Sequence, residues 1–153
     1  MCSVALAQSS AKVVKVSHAL SPNQVERGKS FQVEIAIDIE RGFHINSDRP
    51  GDKYLKATSL KLEPMPGLSF GRVIYPKAIS KGFKFSKKPL SVYEGRPVIR
   101  FSGRALDSLR IGKHTIKAKL TVQACNDEVC LMPSTIDIEI PFEVVPAKSQ
   151  AAR

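Results

Sequence analysis

The chain has 153 residues, 42% hydrophobic and 25% charged, enough for one domain whose core needs no cross-link to hold it. Its formal charge of +10 suits nucleic acid, anionic lipid or an acidic protein partner, but no zinc-finger spacing, RNP-like aromatic motif or basic helix accompanies it, so nucleic acid is set aside. No apolar run approaches the ~18 residues of a membrane span, so the chain has no span of its own and any membrane component is expected in another chain or a removed segment.

The first residues, Met1-Cys-Ser-Val-Ala-Leu-Ala-Gln8, contain the small-x-small form of a signal-peptidase site at Ala5-Leu-Ala7. Residues 1–10 are therefore read as a leader remnant or disordered N-terminus, export is expected, and Cys2 falls in that segment. Two cysteines then remain for an oxidising compartment.

From residue 11 the dominant period is two. A weaker strand is expected at 12–18, before the turn Ser21-Pro-Asn23. Phe31, Val33, Ile35, Ile37 and Ile39 then alternate with polar residues, as a strand with one buried and one wet face requires. Short strands follow at 43–46, 57–63, 68–75, 90–93 and 97–105, punctuated by Arg41-Gly42, Arg49-Pro-Gly-Asp52, Met65-Pro-Gly67 and Glu94-Gly-Arg-Pro97. Strong alternation returns with Ile116, Ala118, Leu120, Val122 and Ala124, and again with Ile136, Ile138, Ile140 and Phe142. Eight or nine such strands predict an all-β fold, an immunoglobulin-like antiparallel β-sandwich over residues 11–146, with a closed barrel as the alternative. Residues 147–153 read as a disordered tail.

Residues 75–91 break the pattern. They are long for a connection in a sandwich and set Phe83 and Phe85 among Lys81, Lys84, Lys87 and Lys88, a cluster read first as serving solubility, with a docking patch for an acidic partner as the alternative.

The chemistry centres on Cys125 and Cys130. Even-numbered residues of the preceding strand point inward, so Cys125 is expected on the polar face unless a bulge intervenes. Asn126 and Asp127 supply turn chemistry, and Cys130 begins the return. Asp127 and Glu128 oppose thiolate formation and stand as proton acceptors, as tuners of redox poise, or as ordinary solvated turn residues. A staple closing about six residues contributes roughly 2 kcal/mol, and a small disulfide on a turn is of the reducible kind. Spacing alone leaves exchange and staple in balance. A metal site would need His18, His44 or His114 beside the thiolates, but these are scattered without ligand spacing. No metal and no cofactor are expected.

The run Val122-Gln-Ala-Cys-Asn-Asp-Glu-Val-Cys-Leu-Met-Pro133 resembles the active-site hairpin of the N-terminal periplasmic domain of DsbD, the thiol:disulfide interchange protein. Gly42-Phe-His-Ile-Asn-Ser47 and Val73-Ile-Tyr-Pro76 are similar to other segments of that domain. The resemblance implies an immunoglobulin-like fold in the periplasm and a Cys125–Cys130 pair acting in protein-disulfide reduction. The pair would take electrons from a membrane-embedded cysteine-pair domain and pass them to thioredoxin-like proteins, namely disulfide isomerases and cytochrome c maturation factors. It also implies a cap loop that shields the cysteines with an aromatic ring. Phe85 is the first choice for that ring and Phe83 the second, with Tyr93 packing beside the loop. Well-known members separate their cysteines by five residues where this chain has four, and are fused to membrane and thioredoxin-like domains. The rival reading is an exported immunoglobulin-like binding module with a structural disulfide.

Overall fold

The protein is described by a computed structural model covering residues 8–148. After a single 3-10 turn at Ser10–Val13, the chain forms β1 (Val14–Ser21), β2 (Gln24–Glu26), β3 (Ser30–Ile39), β4 (His44–Asn46), β5 (Ser59–Leu62) and β6 (Leu68–Phe70). It continues through β7 (Ile79–Lys81), β8 (Leu90–Tyr93), β9 (Val98–Ala105), β10 (Gly112–Val122), β11 (Ala124–Cys125) and β12 (Ser134–Val145). Three four-stranded sheets result among the described residues, ordered β1-β3-β9-β6, β2-β12-β10-β5 and β11-β4-β8-β7. All pairings are antiparallel except that of β2 with β12.

The first two sheets make the sandwich, and the alternation in the sequence explains why. Phe31, Val33, Ile35 and Ile37 of β3 face Ile116, Ala118, Leu120 and Val122 of β10 and Ile138, Ile140, Phe142 and Val144 of β12 across one core, all buried. Burying a side chain of this size contributes about 1.5–3 kcal/mol. The Phe31 ring, on β3, stacks on Phe142, on β12, with centroids 5.5 Å apart, joining the two layers. On the outside, Lys117 and Lys119 stand opposite Glu139 and Asp137, and Lys119 Nζ lies 3.2 Å from Asp137 Oδ1. Much of the positive charge in these strands is thus matched across the ladder.

The expected all-β antiparallel sandwich is what the chain forms, with a third small sheet added to it. The anomalous stretch 75–91 is a correction, because it is not a continuous loop. Ile79–Lys81 pairs with Leu90–Val92, so the stretch is a β-hairpin with Phe83 and Phe85 in its loop. Strands of three residues carry too few alternations to register as a period, which is also why β2 and β11 leave no signature in the sequence. The ordered fold also begins before residue 11: Ser10 is fully buried. Residues 1–7, with the leader-like motif, and residues 149–153 of the expected tail lie outside the described residues.

Gly103 on β9 lies against the Phe31 ring so closely that an added Cβ would overlap the ring. Gly103→Ala is therefore expected to destabilise the domain by about 1–3 kcal/mol through overpacking. Gly82→Ala, where a Cβ meets nothing within 4 Å, should stay within about 0.5 kcal/mol of the parent. Urea unfolding of both variants checks the contrast, and equal costs would refute it.

Candidate functional site

The site begins where β10 gives up one sheet for another. β10 runs to Val122 in the second sheet, and after Gln123 the chain re-pairs as β11 with β4 in the third. The Gln123 side chain holds this crossing. Its Oε1 accepts from Asn46 Nδ2 at 3.1 Å and from the Lys56 amide at 2.9 Å, and its Nε2 donates to the Leu131 carbonyl. Ser10 adds a second tether, its hydroxyl accepting from the Ala124 amide and donating to the Met132 carbonyl.

Beyond the crossing, Asn126-Asp-Glu-Val129 makes a tight hairpin. The Asn126 amide donates to the Val129 carbonyl, and Asn126 Oδ1 accepts from the amides of Glu128 and Val129. A side-chain oxygen thus does the work of a turn carbonyl. With Asp127 and Glu128 as the two loop residues, Cys125 and Cys130 fall opposite each other. The flanking bonds, Asn126 N to Val129 O and Leu131 N to Ala124 O, make this a non-hydrogen-bonded pair, the close kind in an antiparallel ladder. Their Cα atoms are 4.0 Å apart and the sulfurs are bonded. Four intervening residues are what this two-residue hairpin requires.

Register then shows what surrounds the pair. Ala124, Ile45 and Tyr93 are cross-strand neighbours in the third sheet and belong to the main core. Cys125 and His44 are paired on the opposite face of that sheet, the face that also carries Val92 and Leu90. Cys125 therefore leaves the core side as alternation demands, yet it is not on a wet face. It is 0% exposed, a correction to the expectation of a polar position. The same face of that sheet carries a second small core, Phe83, Leu90 and Val92 with Leu55, built by the hairpin of β7 and β8. Cys130, one step past the turn, is exposed.

The two loop phenylalanines are stacked in order. Phe83 is the inner ring, 8% exposed, and lies on the His44 imidazole with centroids 4.2 Å apart. Phe85 is the outer ring, 38% exposed, and stacks on Phe83 at 5.3 Å. Tyr93 is buried and donates its hydroxyl to Asp48 Oδ1; burial and that bond raise its pKa far above the ordinary phenol value. Asp127 and Glu128 are exposed at the hairpin tip.

Sequence reasoning considered His44 only as a metal ligand. It is nevertheless the one histidine placed beside the cysteines; His18 lies in β1 and His114 in β10. Its ring is 2% exposed overall, and Nε2 has no hydrogen-bond partner. Burial lowers its pKa, aided by Lys81 and opposed by Glu94 and Asp127. These groups share a cavity of about 430 Å³ with Arg41 and Glu40. Lys81 Nζ bonds Glu94 Oε1 at 2.7 Å, which raises the lysine's pKa. The only sequence signals were positional: His44 lay in the Gly42-Phe-His-Ile-Asn-Ser47 segment and Gln123 in the cysteine run, with no role read for Gln123, and nothing marked Ser10. Among the described residues no group of three or more His, Cys, Asp or Glu side chains is placed to hold a metal.

The N-terminal periplasmic domain of ScsB from Proteus mirabilis is similar in structure, with TM-score 0.57 and 13% identity. The match covers 92% of this chain and 51% of that one, so this chain spans about half the length of its structural relative. A family 123 glycoside hydrolase from Clostridium perfringens (TM-score 0.36, 8% identity, covering 87% of this chain and 28% of that one) is a remote likeness. So is AggA, the major subunit of aggregative adherence fimbriae type I from Escherichia coli (0.35, 9%, 86% and 95%). No curated protein sequence matches the chain. The profile of the family described as thiol:disulfide interchange protein DsbD, N-terminal, matches residues 10–141, which take in the cysteine hairpin, the β7–β8 hairpin and most of both sheets of the sandwich. The chain belongs to the DsbD N-terminal domain family.

Proposed function

We propose that the Cys125–Cys130 pair works as a relay in thiol–disulfide exchange. The observation that carries this reading is the unequal exposure of the two sulfur-bearing residues. Cys130 is exposed and open to a partner, whereas Cys125 is buried. A partner thiolate attacks Cys130 Sγ, the intramolecular bond breaks, and its electron pair goes to Cys125. A second partner thiol then displaces Cys130, leaving the dithiol reduced and the partner oxidised. In the onward step the reduced pair delivers both electrons to a client disulfide. The staple reading is disfavoured because the bond joins neighbours that two backbone hydrogen bonds already hold together.

In this role Phe83 is the ring that shields the pair and Phe85 its outer cover. Docking of a partner displaces the hairpin of β7 and β8, and its departure closes the site against stray oxidants. The family's description as a thiol:disulfide interchange protein supports partners in a disulfide relay; a membrane-embedded cysteine pair as electron source and thioredoxin-like proteins as clients are the partners that the resemblance implies. The Ala5-Leu-Ala7 motif and the periplasmic origin of the ScsB domain support a periplasmic location.

Cys125→Ser is expected to accumulate a mixed disulfide through Cys130 when mixed with an oxidised thioredoxin-like protein, and Cys130→Ser is expected to accumulate little. Non-reducing electrophoresis reads both. No adduct from either variant, with a reduction potential well below about −300 mV, would sink the exchange reading. The cap assignment has its own measure. Phe83→Ala should speed alkylation of reduced Cys125 about tenfold, in line with losing a buried phenylalanine's cover. Phe85→Ala should change it less; the reverse order would exchange the two roles.

A further inference from the structure

We infer that His44 is the proton acceptor for the Cys125 thiol in the step that closes the reduced pair to a disulfide. The inference rests on the exchange reading above and adds a residue to it. His44 is the cross-strand partner of Cys125. Paired residues project from the same face with Cβ atoms about 4.5–5.5 Å apart, within side-chain reach. Its Nε2 is buried without a hydrogen-bond partner. A buried polar atom left unpaired is uncommon and calls for a reason. In the disulfide form Cys125 carries no proton, so an acceptor kept for that proton stands without a donor.

The charged groups that face His44 come from every neighbouring element. Lys81 lies on β7, Glu94 follows β8, Asp127 sits at the cysteine hairpin, and Glu40 and Arg41 lie in the turn before β4. Burial beneath Phe83 keeps the imidazole neutral, the form that accepts. Glu94 and Asp127 favour the imidazolium once it forms, while Lys81 opposes it. The cavity these residues share gives the proton a way out to solvent.

The step balances as follows. Cys130 is already joined to the client sulfur in a mixed disulfide. The Cys125 S–H gives its proton to His44, and the resulting thiolate attacks Cys130 Sγ. The Cys125–Cys130 bond forms and the Cys130–client bond breaks. The electron pair leaves on the client sulfur, which is protonated from water, and the imidazolium releases its proton through the cavity. A buried thiol without such a base ionises poorly, because burial disfavours the thiolate.

Stopped-flow reaction of the fully reduced protein with dithiobis-nitrobenzoate separates the two steps. The first equivalent of coloured thiolate reports attack by Cys130, and the second reports closure by Cys125. In the parent, the second phase should rise with pH only below the ordinary histidine value of 6.5 and be level above it. In His44→Phe, which keeps a ring for Phe83 to stack on, and in His44→Gln, closure at neutral pH should slow by about a hundredfold or more. Their closure rate should instead climb toward the thiol's own pKa, about 8.5 or higher. The first phase should be unchanged in both. A second phase of unaltered rate and pH profile in either folded variant overturns the assignment. A parent that releases the first equivalent but never closes overturns the exchange reading, and this inference with it.

Discussion

The site depends on one change of partner at residue 123. Up to Val122 the strand belongs to the sandwich, and from Ala124 it belongs to a smaller sheet with β4. Three hydrogen bonds to the Gln123 side chain and two to Ser10 hold that change. Without it, Cys125 would continue the outer face of β10, among the solvated lysines. With it, the cysteine sits across from His44 and under the cap hairpin. Gln123 is half-buried and uses both ends of its amide in these bonds, which favours one arrangement of the crossing over close competitors.

The long strands were legible because they are long. Five apolar residues in strict alternation, as in Phe31 to Ile39, admit few other structures, and the layers and their core follow. The hairpin was legible too, since Asn and Asp between two cysteines announce a tight turn. What stayed hidden is tertiary. Parity placed Cys125 on the correct side of its strand, but no pattern within the strand reveals that residues some forty positions earlier roof that side. The order of the two phenylalanines was hidden for the same reason: both lie in one loop among lysines, and only the packing of Phe83 on His44 distinguishes them. His44 itself gave no spacing to read, because its partner lies across a sheet.

The cap and the cysteine hairpin divide the labour of the site. In the proposed relay the cap controls access: Phe83 and its small cluster pack on the third sheet, separate from the main core. A segment that packs through so few apolar side chains is the kind that opens at low cost while the rest of a domain stays folded. The sandwich beneath, with its long ladders, supplies the rigid base against which such a hinge moves.

The hairpin does not need its disulfide to keep its shape. Asn126 Oδ1 closes the turn, backbone hydrogen bonds flank the cysteines on both sides, and Ser10 ties down the base. None of these contacts involves sulfur, so they persist when the bond is cut. The contacts that set the hairpin's backbone are thus independent of the redox state of the sulfurs. In the proposed relay each turnover then rearranges two sulfurs and their protons, and the scaffold that presents them to successive partners stays in place.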